Sequence, residues 1–182
     1  MLVSCEGTGG TASNGYMFGK SEIRLSPTRM VNDGYWDAPM DLEGEHHIVV
    51  DTELQKATYY IAGRAVGISP ISSGKAGHGT PSGEFKVLDK DAEHKSSTYG
   101  SIVDAEGNTL VADYTKGQPI PAGGIYKGAD MNNALKITNS GIWMHEGIVT
   151  AAPESHGCIR LPKDMAKIFF DNTPVGTRIT IK

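Results

Sequence analysis

The sequence predicts a mainly β fold with one short C-terminal helix and a long polar loop that caps it. Three observations carry that expectation. From residue 46 onward, short runs rich in β-branched and aromatic residues follow one another, as strands do. The chain of 182 residues is punctuated by 23 glycines and 9 prolines, which calls for many turns. Only one segment, near the C-terminus, repeats apolar residues at the three-to-four-residue interval of an amphipathic helix.

Residues 1–45 read as a flexible extension or tether, and residues 46–182 as one domain. HHIVVD and ATYYIAG predict two strands, and RAVGISPISSG, after Gly63, a third. The glycine-rich turn GKAGHGTPSG, which holds His78, leads into SGEFKVLDK. There Phe85 and Val87 alternate with Glu84 and Lys86, the period of a strand with one wet face. Residues 89–133 are polar and rich in Gly, Asn, Asp and Tyr, with isolated pieces such as SIVD and TLVAD, and they predict a functional cap loop. ALKIT and GIWMHEG predict two more strands. In the second, Trp143 and His145 share one face, and Ile142 and Met144 the other. Pro162 suits a first helical turn, Asp164 its positive end, and Met165, Ile168 and Phe169 form one apolar stripe. Asn172 to Gly176 breaks that helix, and TRITIK closes the chain as a strand.

Charge narrows the function classes. With 17 Lys and Arg against 21 Asp and Glu, the net charge is −4 and there is no basic run. A nucleic-acid or anionic-membrane partner has no electrostatic footprint here. No stretch reaches the roughly 18 to 20 continuous apolar residues that span a bilayer.

The two cysteines, Cys5 and Cys158, sit in unlike contexts. Leu2, Val3, Ser4 and Cys5 resemble a bacterial lipobox, which makes Cys5 a candidate for lipidation and the small residues EGTGGTASNG after it a tether. Cys158 lies in SHGCIRLP, between Gly157 and Ile159, with His156 and Arg160 close by. A cysteine attacks as thiolate, so a catalytic one needs a nearby base or positive potential. His156 is two residues away, His145 is upstream on a predicted strand, and Gly157 permits a tight turn whose N–H groups can face a developing oxyanion. Other readings stay open: a Cys5–Cys158 disulfide, a zinc site of His145, His156 and Cys158, a buried inert thiol, or a binding module that has lost turnover. Histidine before cysteine is the reverse of the papain order.

GIWMHEG followed by SHGCIRLP resembles the L,D-transpeptidase catalytic domain family (YkuD-like), in which a histidine, a variable loop and Ser/Thr-His-Gly-Cys occur in that order. ISSGKAGHGTPSGEFKV is similar to the family's G-x-x-G-x-x-T-P-x-G-x-F turn, and PKDMAKIFFDNTPVGTRITI to its closing helix and strand. The resemblance covers roughly residues 46–182. It implies a β-sandwich of mixed sheets, with Cys158 as nucleophile, His145 as base, and the carbonyl of Glu146 orienting the imidazole. Ser155 and His156 are implied to line the pocket, the N–H groups of Gly157 and Cys158 to form the oxyanion hole, and Arg160 to meet a carboxylate or support the loop. Trp143 and Tyr126 are candidates to pack against substrate. The implied partners are peptidoglycan tetrapeptide stems, with a second stem, a protein amine or water as acceptor, and no metal or organic cofactor is required. Such a substrate implies a place in the bacterial cell envelope, held by a lipid on Cys5. The loop from His145 to Ser155 is shorter than in many members, and Glu146 replaces a small residue.

Overall fold

The computed structural model describes residues 34–182. Cys5, and with it the lipobox and most of the tether, lies outside those residues. Along the described chain run β1 (Tyr35–Trp36), β2 (His46–Asp51), β3 (Lys56–Ile61), β4 (Arg64–Pro70), β5 (Gly83–Lys86), β6 (Asp89–Val103), β7 (Thr109–Thr115), β8 (Ile125–Lys136), β9 (Trp143–Glu146) and β10 (Ile159–Leu161). They are followed by α1 (Lys163–Asn172) and β11 (Arg178–Ile181). The strands form two mixed sheets. One has six strands in the order β1-β4-β3-β2-β11-β5, the other five in the order β10-β9-β8-β6-β7. Each contains one parallel pair, β11 with β2 and β10 with β9.

Period-two patterning builds the first sheet. Ile48 and Val50 on β2, Ala57, Tyr59 and Ile61 on β3, and Ile179 and Ile181 on β11 all point into one core. The second sheet answers with Leu135, Met144, Ile159 and Leu161, and α1 adds Met165, Ala166 and Phe169. The rings of Tyr59 and Phe169 meet edge-on at 5.2 Å, and those of Trp36 and Tyr59 at 5.0 Å, the arrangement that aromatic quadrupoles favour. Inside this apolar setting the Tyr59 hydroxyl donates to the Asn172 carbonyl at 2.6 Å, so its polar end is satisfied. Burial pushes the Tyr59 phenol up to about 12.

The structure departs from the sequence expectations in three places. Residues 89–133 are not a cap loop: they form β6, β7 and most of β8, a long antiparallel unit with Asp89 opposite Lys136 and Val103 opposite Ile125. Backbone pairing holds this unit more than an apolar face does, and its two polar faces hide the strand period. The domain also begins before residue 46. Trp36 is 7% exposed and belongs to the core, and β1 pairs with β4. Within α1 the buried stripe is Met165, Ala166 and Phe169, with Ile168 only partly covered.

Phe169 joins the helix to Trp36 and Tyr59 of the first sheet, and its replacement by Ala should remove about 3–5 kcal/mol of stability, the usual loss for a large buried aromatic. Chemical denaturation of Phe169→Ala checks this, through a lower midpoint with an unchanged slope.

Candidate active site

The short parallel pair of β9 and β10 places the chemistry. Ile159 lies opposite Met144, Arg160 opposite His145, and Leu161 opposite Glu146. Residues paired in this way project to the same side. Ile159, Leu161 and Met144 fill the core, so His145 and Arg160 project from the other face. Cys158 immediately precedes β10, level with Trp143, and the Trp143 backbone N–H donates to its sulfur. The thiol in turn donates to the Gly141 carbonyl at 3.7 Å. Cys158, at the entrance to β10, and His145, on β9, thus share the outer face of the second sheet.

A set of backbone bonds fixes the cysteine loop. Ser72 and Arg160 exchange two hydrogen bonds, at 3.1 and 3.0 Å, and the Lys75 N–H donates to the Ser155 carbonyl at 2.9 Å. The buried Gln55 side chain accepts from the Ser73 N–H at 2.9 Å and donates to its hydroxyl at 2.7 Å, which holds this segment to the β2–β3 turn. Thr80 closes the glycine-rich turn onto the loop. Its hydroxyl accepts from the Gly74 N–H at 2.9 Å and donates to the Gly157 carbonyl at 2.8 Å. Gly157 has φ +112, in the region that only glycine enters cheaply, and a Cβ there would sit 2.9 Å from Ile142 Cδ1. Thr80 escaped the residue-by-residue reading, although the T-P of the turn was visible in the sequence.

His145 is 7% exposed. Its Nδ1 lies 2.6 Å from the Glu146 carbonyl, which can only accept, so Nδ1 carries the proton and Nε2 keeps a lone pair. Burial lowers its pKa to about 4. The bond to Glu146 opposes that shift, while the charges of Arg160 and His94 add to it. Burial also pushes the Cys158 thiol up, against the Trp143 N–H and the Arg160 charge, which favour thiolate. At neutral pH the resting pair is therefore an uncharged thiol and an uncharged imidazole, so the proton must leave sulfur as sulfur attacks.

The remaining predicted residues divide. His156 reaches the site's rim, its ring stacked on Tyr99 at 4.4 Å and edge-on to His78 at 5.1 Å, and burial and positive neighbours lower its pKa. Arg160 lies across Gly147 and, with His156, lines a groove of ≈ 780 Å³ that runs under β6, β7 and β8 past Lys75, Asp113 and Lys127. Among the described residues no carboxylate pairs with its guanidinium. Trp143 stacks on His94 at 4.0 Å.

Three assignments change. Ser155 is 1% exposed, and its hydroxyl donates to the Cys158 carbonyl and accepts from the Gly157 N–H at 3.1 Å, so it braces the loop instead of lining a pocket. The same bond removes the Gly157 N–H from the oxyanion hole, and of the two donors expected there it leaves that of Cys158. Tyr126 has its hydroxyl 2.9 Å from the carbonyls of Ser96 and Tyr99, where it pins the β6 backbone instead of offering its polar end to a substrate. Among the described residues, no three of His, Cys, Asp and Glu converge as metal ligands do.

Comparison with known proteins agrees with this geometry. Residues 45–181 match the family description of the L,D-transpeptidase catalytic domain, YkuD. The probable L,D-transpeptidase ErfK/SrfK of Salmonella typhimurium is 32% identical over 141 residues, which make up 74% of this chain and 43% of that protein. The chain therefore spans less than half the length of that relative. An L,D-transpeptidase from Mycobacterium smegmatis superposes with a TM-score of 0.58 at 26% identity, covering 76% of this chain and 59% of that one. The L,D-transpeptidase LdtMt1, solved in complex with imipenem, gives 0.57 at 25% identity, covering 75% and 58%. The mixed two-sheet fold, the ordered motifs and these likenesses agree, and the chain belongs to the L,D-transpeptidase catalytic domain family.

Proposed function

We propose that this domain is a cysteine-dependent L,D-transpeptidase that remodels or crosslinks peptidoglycan through a thioester on Cys158. The observation that carries the proposal is the common face of Cys158 and His145, with the imidazole held Nδ1-protonated by Glu146 and its other nitrogen free to accept. In the first half-reaction the sulfur attacks the carbonyl of the third residue of a tetrapeptide stem. His145 takes the thiol proton and returns it to the departing amine, so the terminal D-alanine leaves and a thioester remains. In the second, the side-chain amine of another stem attacks that carbonyl and gives up a proton through His145. A crosslink between third residues forms, and the Cys158 thiol is regenerated. The Cys158 N–H is assigned to the oxyanion in each half, since that of Gly157 is taken up by Ser155. Arg160, without a carboxylate partner among the described residues, supplies positive charge at the groove for a stem carboxylate.

Two variations use the same thioester: water as acceptor makes the domain an L,D-carboxypeptidase, and a protein amine makes it an attachment enzyme. A purely stem-binding module is the contrasting reading, and it has no use for the thiol.

Incubation with purified disaccharide-tetrapeptide, followed by mass spectrometry, tests the function. Free D-alanine should accompany either a dimer linked through third residues or a disaccharide-tripeptide. Intact tetrapeptide alone would leave only the binding module. LdtMt1 was solved with imipenem, and the same drug class provides a probe of the first half-reaction. Cys158→Ala should show no carbapenem adduct. His145→Ala should acylate more slowly by roughly 10²-fold, the usual contribution of a general base, and His156→Ala should lose less. A larger loss in His156→Ala would reverse the two roles.

We further propose export to the bacterial cell envelope, since the polymer lies outside the cytoplasmic membrane, with a lipid on Cys5 as anchor. Labelled fatty acid should enter the protein made in its host and not the Cys5→Ser variant. Equal labelling of both, or none in either, would refute the anchor.

A further inference from the structure

β6 crosses the cysteine loop with two aromatic contacts and a break between them. His94 lies flat on the indole of Trp143, with ring centroids 4.0 Å apart and planes at 25°. Five positions on, Tyr99 lies flat on the imidazole of His156, at 4.4 Å and 23°. The two partners stand on either side of the nucleophile. Trp143 is level with Cys158 on the neighbouring strand and donates its N–H to the sulfur, and His156 is two residues before Cys158 in its loop.

The break is built into the strand. The pairing of β6 with β8 is regular up to Lys95, shifts, and resumes at Gly100. Within the gap, the Ser96 hydroxyl accepts from the Tyr99 N–H at 2.9 Å, and the Tyr126 hydroxyl lies 2.9 Å from the carbonyls of Ser96 and Tyr99. Gly128 on β8 lets the bulged backbone come close, because a Cβ there would fall 2.2 Å from the Ser96 carbonyl oxygen. Bulges beside active sites redirect side chains in this way. Here the bulge separates the two stacking residues so that each reaches a different neighbour of Cys158, His94 reaching Trp143 and Tyr99 reaching His156. Further contacts hold the rings in place: His94 Nδ1 is 3.0 Å from Asp91 Oδ2, and His78 meets the edge of His156.

Accepting the transpeptidase reading, we propose that His94 and Tyr99 are positioning residues: by stacking on Trp143 and His156 they set the separation of the pocket walls between which an acyl donor lies over Cys158. Neither ring takes part in proton transfer. They fix where the donor carbonyl rests relative to the sulfur, and small errors in such placement are costly to rate.

The test compares acylation of Cys158 by a carbapenem with alkylation of Cys158 by iodoacetamide, both followed at the Cys158 peptide by mass spectrometry. A small alkylating agent needs the thiol but not the walls. His94→Ala and Tyr99→Ala should each slow carbapenem acylation by at least about tenfold, and His94→Phe and Tyr99→Phe should restore it to within about threefold because a flat ring returns. Alkylation should stay within about twofold throughout. Wild-type acylation in the Ala variants, equal losses in the Ala and Phe variants, or a parallel loss of alkylation would overturn the proposal. If the wild-type protein itself forms no adduct, the transpeptidase reading fails first, and this inference falls with it.

Discussion

The parallel pairing of β9 with β10 is the constraint on which the site depends. An antiparallel pair could be closed by a tight turn, whereas a parallel one requires the chain to leave one end of the first strand and return to the other. Residues 147–158 make that return, and the return carries Ser155, His156, Gly157 and Cys158. The pairing register then decides which side chains meet: Arg160 beside His145, and Cys158 beside Trp143, all away from the core that Met144, Ile159 and Leu161 fill. A shift of one residue would turn the nucleophile inward. The bonds from Ser72, Ser73, Lys75 and Thr80 explain how so short a strand keeps its register. They tie the loop to the glycine-rich turn, which is itself held to the first sheet through Gln55.

Burial sets the electrostatic character of the pair. It raises the thiol and lowers the imidazole, so both effects favour the uncharged pair over an ion pair. Arg160 acts in opposite senses on the two, favouring thiolate at Cys158 and disfavouring imidazolium at His145. An uncharged thiol resists the unwanted oxidation that a standing thiolate invites. Attack then depends on the substrate carbonyl arriving in line with the sulfur while the thiol proton passes from the Gly141 carbonyl to the His145 imidazole.

Much of this was legible in the sequence, for reasons that differ by element. β2 and β11 alternate wet and dry faces, β3 is a β-branched and aromatic run, and α1 carries a clear apolar stripe, so local pattern alone locates them. Cys158, His145 and the Glu146 carbonyl were legible through ordered motifs. The β6–β7–β8 unit was not, because its strands have two polar faces and their partners are distant in sequence: Glu93 pairs with Asn132 and Lys95 with Asp130. The roles of His94 and Tyr99 follow from that pairing and were hidden with it. Trp36 was missed because a two-residue strand has no period to read. Ser155 and Gly157 were placed in the right loop with the wrong hydrogen bonds, since residue type does not say where a hydroxyl or an N–H points.

The central claim is that Cys158 and His145 rest as an uncharged pair, with the imidazole protonated on Nδ1. Nitrogen-15 NMR of His145 across a pH titration, read beside the thiolate absorbance lost in Cys158→Ala, measures it directly. The account predicts a neutral Nδ1–H imidazole at neutral pH that gains its second proton only near pH 4, with no thiolate signal at neutral pH. A doubly protonated His145 at neutral pH, together with a Cys158 thiolate, would contradict it.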